Sequence, residues 1–119
     1  MKAAKIIGIC ALILFCVAAA EILRGPRSHL AGFDRARHRT YEAISIGSSK
    51  GAALQGLGEP LRQERTFCLP QRHGFEEQFE AAERSSAVEY ALWHNGINWY
   101  YCIGFDSHGK VVIKGEGCS

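Results

Sequence analysis

Residues 88–113 read VEYALWH NG INWYYCIGF DSHGK VVI. β-Branched and aromatic residues dominate three runs of this stretch, a composition typical of strands. Asn95-Gly96, between the first two runs, is the signature of a two-residue type I′ hairpin. The stretch therefore predicts three antiparallel strands joined by tight turns.

The first turn predicts a register, because a slip of one residue would turn every side chain to the other face. The predicted pairs are His94 with Ile97, Leu92 with Trp99, Tyr90 with Tyr101 and Val88 with Ile103. In this register one face of the first hairpin is continuously apolar.

The second turn contains Gly109, which suits the left-handed bulge position of a three-residue loop. That loop pairs Phe105 with Val111 and Ile103 with Ile113, whereas a four-residue loop would place Lys110 and Lys114 on the core face. The apolar pattern favours the first. The predicted core face is Val88, Tyr90, Leu92, Ile97, Trp99, Tyr101, Ile103, Phe105, Val111 and Ile113.

Two short helices are predicted upstream of this sheet. One lies near Tyr41 and ends at Gly47; the other covers Lys50 to Leu57, with Ser48 or Ser49 as its N-cap. Gly58 and Pro60 end the second helix. The sequence therefore predicts an α+β domain with two short helices packed on one face of a three-stranded antiparallel sheet.

The segment between Pro60 and the sheet is less regular. Residues 62–69 are compatible with a strand, and the acidic residues 74–86, with Phe75 and Phe79 four apart, suggest a helical excursion.

An apolar segment opens the chain. Lys2 and Lys5 precede an uninterrupted apolar run from Ile6 to Ala20, and Ala18-Ala19-Ala20 offers small residues for signal-peptide cleavage. The competing interpretation extends the run to Leu23 as an uncleaved membrane anchor. Neither Cys10 nor Cys16 follows a small residue, which argues against lipidation.

Charge is uneven along the chain. The formal net charge of +2 comes from Lys2 and Lys5, and the rest of the chain is neutral. Arginines concentrate between the apolar segment and the domain, which opposes export by the positive-inside rule, whereas the cleavage pattern favours it. No basic surface across the domain predicts nucleic-acid binding. These arginines are Arg24, Arg27, Arg35, Arg37 and Arg39.

The residues able to do chemistry do not form a recognisable catalytic or metal-binding motif. Asp106-Ser107-His108 lies in a turn and cannot converge as a triad. The predicted register places His94 and Cys102 on opposite faces. The histidines, His29, His38, His73, His94 and His108, lack metal-ligand spacing, so neither a metal nor a cofactor is expected.

Three cysteines lie in the domain: Cys68, Cys102 and Cys118. In an oxidising compartment any one of three pairings could form, and Cys118 is favoured as a member because a terminal tail can swing to a partner.

The second face of the predicted sheet carries Trp93 and Tyr100, with Glu89 and Asn98 around them. Exposed aromatics with a polar rim mark binding surfaces, so these four residues form the candidate binding site. The alternative is that residues 74–86 fold over this face and bury the rings.

Several motifs carry a family resemblance. Gly47-Ser48-Ser49, Leu57-Gly58-Glu59-Pro60, Trp99-Tyr100-Tyr101 and Phe105-Asp106-Ser107-His108-Gly109 resemble, in order and spacing, SmpA/OmlA (BamE-like) outer-membrane assembly lipoprotein domains. The resemblance covers roughly residues 41–60 and 97–114. It implies a two-helix, three-stranded fold and a binding role in the cell envelope. The motif residues are Gly47, Ser49, Leu57, Gly58, Pro60, Trp99, Tyr101 and Gly109.

The sequence thus divides into a signal peptide or anchor (1–23), a basic linker (24–40) and an SmpA/OmlA-like domain (41–119). We expect a non-enzymatic binding module of the bacterial envelope, either anchored in the inner membrane with a periplasmic domain or periplasmic after cleavage. Its partner would be an envelope protein, with membrane contact through residues 6–23 if uncleaved. Alternatives are a thiol-dependent enzyme using Cys102 or a bitopic component acting through its anchor.

Overall fold

The computed structural model describes residues 2–119 and has an α+β architecture with an antiparallel sheet. The helices are α1 (Lys2–Arg24), α2 (Arg35–Ala43), α3 (Lys50–Leu57) and α4 (Glu76–Arg84). The strands are β1 (Arg62–Glu64), β2 (Glu89–His94), β3 (Tyr100–Phe105) and β4 (Val111–Gly117), in the spatial order β1-β2-β3-β4. The sheet therefore has four strands where the sequence predicted three.

Helix α3 has the predicted bounds because local signals define both of its ends. The Ser49 side chain accepts a hydrogen bond from the Ala52 amide at the N-terminus, and Gly58 follows the C-terminus with φ +80°. Leu57 and Ala53 are buried against the sheet. Their burial places α3 on one sheet face together with α2, as predicted.

The register of the first hairpin differs from the prediction. Trp93 pairs with Tyr101, and His94 pairs with Tyr100, so five residues, 95–99, connect the strands, three more than in a two-residue turn. Within this connection the Asn95 backbone N–H donates to the Trp99 carbonyl. This odd shift reverses the faces of β2 relative to β3. The helix-side core therefore contains Trp93 and Ala91 from β2.

The predicted core list is correspondingly mixed. Four members lie on the helix side as expected, namely Tyr101, Ile103, Phe105 and Val111, and Trp99 packs partly against them. Three face the other side, namely Tyr90, Leu92 and Ile113. Val88 and Ile97 are exposed, because Val88 precedes β2 and Ile97 sits at the tip of the hairpin.

The second hairpin confirms part of its prediction. Phe105 pairs with Val111, and Gly109 has φ +71° in the loop. The Asp106 carboxylate accepts hydrogen bonds from the Lys110 and His108 amides, which lower its pKa.

A bulge beside Gly104 then shifts the pairing, so Ile103 opposes Lys114 rather than Ile113. Lys114 consequently lies on the helix side, where its Nζ donates to the Tyr41 carbonyl and sits 4.5 Å from the centre of the Tyr41 ring. Burial lowers the pKa of Lys114 and raises that of Tyr41.

The second face of the sheet is covered by α4 and the irregular segment 65–75. Phe67, Phe75 and Phe79 pack against a cluster that contains Tyr90 and Leu92. The predicted helical excursion is thus α4, and of the predicted strand at 62–69 only Arg62–Glu64 forms. The sheet is buried on both faces.

Two glycines in the last strand, β4, allow this cover to lie close to the sheet. A Cβ on Gly115 would lie 2.5 Å from Phe67 Cζ, and one on Gly117 would lie 3.0 Å from Phe75 Cε1. Beside them Gln78 donates to the Glu116 carbonyl (2.9 Å) and accepts from the Glu116 amide (2.8 Å). The glycines and Gln78 thus fix α4 against the edge of β4.

Helix α1 is the one long apolar helix of residues 2–119, and none of its residues is buried. Its apolar stretch has a mean hydropathy of 2.7, and by length and composition it is able to cross a membrane. It is therefore not a core helix of the domain.

We expect Gly115→Val to destabilise the domain by roughly 2–4 kcal/mol, because the new side chain would push Phe67 away from the sheet. Urea unfolding of the purified protein measures this. The control is Gly51→Ala in α3, where a Cβ would make only an ordinary contact with Ser49 Oγ at 3.9 Å and alanine favours the helix by about 1 kcal/mol. Equal stability of Gly115→Val and the parent protein would contradict the packing described for the second face.

Candidate functional site

Residues 25–34, here called the neck, join α1 to the domain and do not form a free linker. The neck contains two 3-10 turns, Gly25–Arg27 and His29–Ala31, and Asp34 caps α2 by accepting from the Ala36 and Arg37 amides. Helix α2 starts at Arg35, so the C-terminal part of the predicted linker (24–40) belongs to the folded domain.

A buried amide attaches the neck to the tip of the first hairpin. Asn95 is 1% exposed; its Oδ1 accepts from the Asp34 amide at 2.8 Å, and its Nδ2 donates to the Asp34 carbonyl at 2.8 Å. The same Nδ2 donates to the Tyr101 hydroxyl at 3.0 Å. The two bonds to Asp34 cross 61 positions of sequence, and together the three bonds satisfy the polar atoms of the buried amide.

The Tyr101 hydroxyl continues this network. It lies 2.8 Å from His38 Nδ1 and accepts a hydrogen bond from Asn95 Nδ2. The other ring nitrogen, His38 Nε2, lies 3.2 Å from an Arg27 guanidinium nitrogen and 3.2 Å from a Glu42 carboxylate oxygen. Burial raises the pKa of Tyr101. The network therefore has a structural role, holding α2 and the neck to β3.

Gly96 lets the hairpin tip approach the neck. It has φ +79°, and a Cβ at this position would lie 2.5 Å from the Ala31 carbonyl oxygen. The next residue, Ile97, donates its amide to the same carbonyl at 2.7 Å. The tip and the turn His29–Ala31 thus form one continuous surface at the base of α1.

This shared surface exposes apolar and cationic side chains. Leu30 is 73% exposed and Ile97 is 75% exposed. Beside them a recess of about 290 Å³ is lined by Arg24, Arg27, Phe33 and Arg35. We call Leu30, Ile97 and this recess the neck–tip surface; it adjoins the end of the apolar helix.

Two residues of the recess have further contacts. The Arg27 guanidinium lies 5.2 Å from the centre of the Phe33 ring and 5.5 Å from that of Trp99. Arg24 donates to Glu21 at 2.9 Å, and the second Glu21 oxygen accepts from the His29 amide at 2.7 Å. Glu21 thereby ties the end of α1 to the neck.

The four residues predicted as a binding patch are not brought together. Trp93 is 1% exposed beneath α3, where its Nε1 donates to the Gly58 carbonyl at 2.9 Å, whereas Tyr100 packs on the opposite face. Glu89, at the far end of β2, pairs with Lys50, and Asn98 lies in the hairpin tip bonded to Ser119. The prediction failed because it rested on the wrong hairpin register.

The observed register places His94 and Cys102 on the same face of the sheet, whereas the predicted register placed them on opposite faces. Even so, His94 Nδ1 lies against the Gly96 carbonyl and Cys102 Sγ lies against Cys68. Within residues 2–119 no group of three potential metal ligands occurs.

A larger recess of about 420 Å³ lies beside α4, where Phe67, Phe79 and Tyr90 form much of its wall. Arg72 at its rim lies 5.1 Å from the centre of the Phe79 ring and 3.7 Å from Glu83. The recess brings together no acid, base and nucleophile in mutual contact, so the neck–tip surface is the candidate site.

Comparison of the chain with protein-family models, with curated proteins and with solved structures found no match. The family resemblance therefore rests on the motifs alone. The sequence identified the arginines of the recess but gave no role at this surface to Leu30, Ile97 and Asn95. Asn95-Gly96 indicates a turn, but it does not indicate that the Asn95 side chain bonds to a distant segment.

We expect Asn95→Ala to cost roughly 2–4 kcal/mol of stability, because the Asp34 amide and carbonyl would lose their buried partner. The neck should also open, so that trypsin cuts after Arg27 faster than in the parent protein. Urea unfolding and timed proteolysis measure the two effects. Asn98→Ala at the exposed tip is the control, and an unchanged cleavage rate in Asn95→Ala would refute the attachment of the neck.

Proposed function

We propose that the protein is a membrane-anchored, non-enzymatic binding module of the bacterial cell envelope whose domain rests on the membrane surface. The observation that carries the proposal is the attachment of the neck to the hairpin tip. It places the exposed residues Leu30 and Ile97, and the arginine recess, directly beside the end of an unburied apolar helix.

The length and ends of α1 support anchoring. With 23 residues and a rise of about 1.5 Å per residue, α1 extends about 35 Å, and the hydrocarbon core of a bilayer is about 30 Å thick. Lys2 and Lys5 mark one end, and Glu21 and Arg24 mark the other. Since none of this apolar surface is covered by the domain, a bilayer is the environment that suits it.

The contacts of Glu21 favour a retained anchor over a cleaved signal peptide. The helix continues past Ala20 to Arg24, and Glu21 bonds both to Arg24 and to the neck. A retained α1 therefore enters the domain through a fixed junction rather than a flexible tether.

The composition of the neck–tip surface suits the headgroup region of a membrane. Arginines near an anionic membrane surface contribute about 1 kcal/mol each, and exposed leucine and isoleucine side chains gain from partial insertion. Trp99 beside Arg27 belongs to the residue type that concentrates at membrane interfaces. Together these groups would hold the domain against the membrane that α1 spans.

A binding role is supported by the resemblance to SmpA/OmlA domains. The resemblance implies two helices followed by three strands; α2, α3, β2, β3 and β4 follow that order, with β1 and α4 inserted between α3 and β2. The surface of the domain away from the membrane would then be the part available to an envelope protein partner. Cys102, the candidate nucleophile of the thiol-enzyme alternative, is fully buried and unsuited to attack on a substrate.

Lipid contact is tested by placing a photo-crosslinking phenylalanine derivative at Leu30, Ile97 or Val88 of the full chain in membranes. We expect lipid adducts, detected by mass spectrometry, from positions 30 and 97. Val88 is the control because it is also exposed but lies at the opposite end of β2. Adducts of equal yield from all three positions, or from none, would contradict a domain resting on the membrane through this surface.

Topology is tested with alkaline phosphatase fused after Ser119. We expect an active enzyme in the membrane fraction and an intact mass that retains α1. An active cytoplasmic reporter at the same site would show that the arginines keep the domain inside, and a mature chain starting at Glu21 would show cleavage.

A further inference from the structure

Two cysteines meet on the second face of the sheet. The Sγ atoms of Cys68 and Cys102 lie 2.6 Å apart, and the Cys68 amide donates to Cys102 Sγ at 3.1 Å. A disulfide bond of about 2.05 Å requires the sulfurs to approach by only about half an ångström. Cys118, which the sequence favoured as a disulfide partner, lies half-buried near the C-terminus.

The position of the pair matters for the fold. Cys102 is in the middle of β3, whereas Cys68 lies in the segment 65–75, which has neither helix nor strand. Cys68 and Leu69 are nevertheless buried against the sheet. This irregular segment carries Phe67, so a cross-link at Cys68 would hold the aromatic cover in place.

We propose that Cys68 and Cys102 form a disulfide bond in the mature protein. In the reaction, one cysteine thiolate attacks the disulfide of an oxidant of the dithiol-oxidoreductase class, and the second displaces the oxidant from the mixed disulfide. The two protons and two electrons pass to the oxidant, which leaves as a dithiol. The proposal rests on the exported location given above, because cytosolic thiols stay reduced.

Burial determines when this reaction takes place. Cys102 is fully buried and Cys68 is 4% exposed in the folded domain. Burial also raises the pKa of Cys102, and its contact with Cys68 adds to the effect, so little thiolate exists once the segment has closed. The bond therefore forms before the segment packs on the sheet and is protected afterwards.

Peptide mapping of the full chain from its native membranes tests the proposal. Free thiols are alkylated under denaturing conditions, the bond is reduced, and the released thiols receive a second, mass-distinct label. Trypsin separates the three cysteines because it cuts after Arg65, Arg72, Arg84, Lys110 and Lys114. We expect Cys68 and Cys102 to carry the second label, and peptide 66–72 to be linked to 85–110 without reduction.

Cys118→Ser is the matched control and should leave the linked peptides unchanged. The reduced protein should unfold at a midpoint lower by roughly 10 °C or more, and Cys68→Ser should unfold at that lower midpoint with or without reductant. First-label alkylation of both Cys68 and Cys102, or a link from either to Cys118, would overturn the proposal.

A refolding experiment distinguishes failure of the disulfide proposal from failure of the proposed exported location. The reduced full chain in detergent, treated with oxidised glutathione, should form the same link. If it does so while the native chain is reduced and the phosphatase fusion is inactive, the native disulfide and the export both fail. If the fusion is active and the native chain is still reduced, only the disulfide proposal fails.

Discussion

The buried side chain of Asn95 is the constraint on which the arrangement of this protein depends. An amide is among the few side chains that can bond simultaneously to a backbone N–H and a backbone C=O, and here both groups belong to Asp34. Asp34 is also the N-cap of α2. One residue of the hairpin thereby fixes the end of the neck, the start of α2 and, through Tyr101, the position of His38.

The same constraint explains why the hairpin departs from its local preference. A two-residue turn at Asn95-Gly96 would use the asparagine for its own backbone conformation and expose its side chain. In the observed structure the amide is buried against the neck, and the connection continues through Trp99 before β3 begins at Tyr100. Gly96 remains necessary, but its role is to let the Ala31 carbonyl approach.

Local sequence signals predict part of this structure, whereas the rest depends on tertiary contacts that leave no local signal. Helix α3 was predicted to the residue because Ser49 and Gly58 define its ends without help from distant segments. The α+β class followed from the composition of the strands. The face on which Trp93 lies could not be predicted, since a bond between segments 61 positions apart overrides the turn. The glycines of β4 gave no local signal either, because their role is to leave space for Phe67 and Phe75.

Gln78 has a consequence for how the domain meets other chains. The Gln78 side-chain amide bonds to both the backbone N–H and the backbone C=O of Glu116, as a neighbouring strand would. Glu116 lies in β4, the outer strand of the sheet. At the other margin β1 has only three residues, two of them charged. Short, charged or covered margins prevent one sheet from extending into another. We therefore expect a protein that recognises this domain to bind its side chains, because the sheet margins leave few backbone hydrogen-bonding groups free for an added strand.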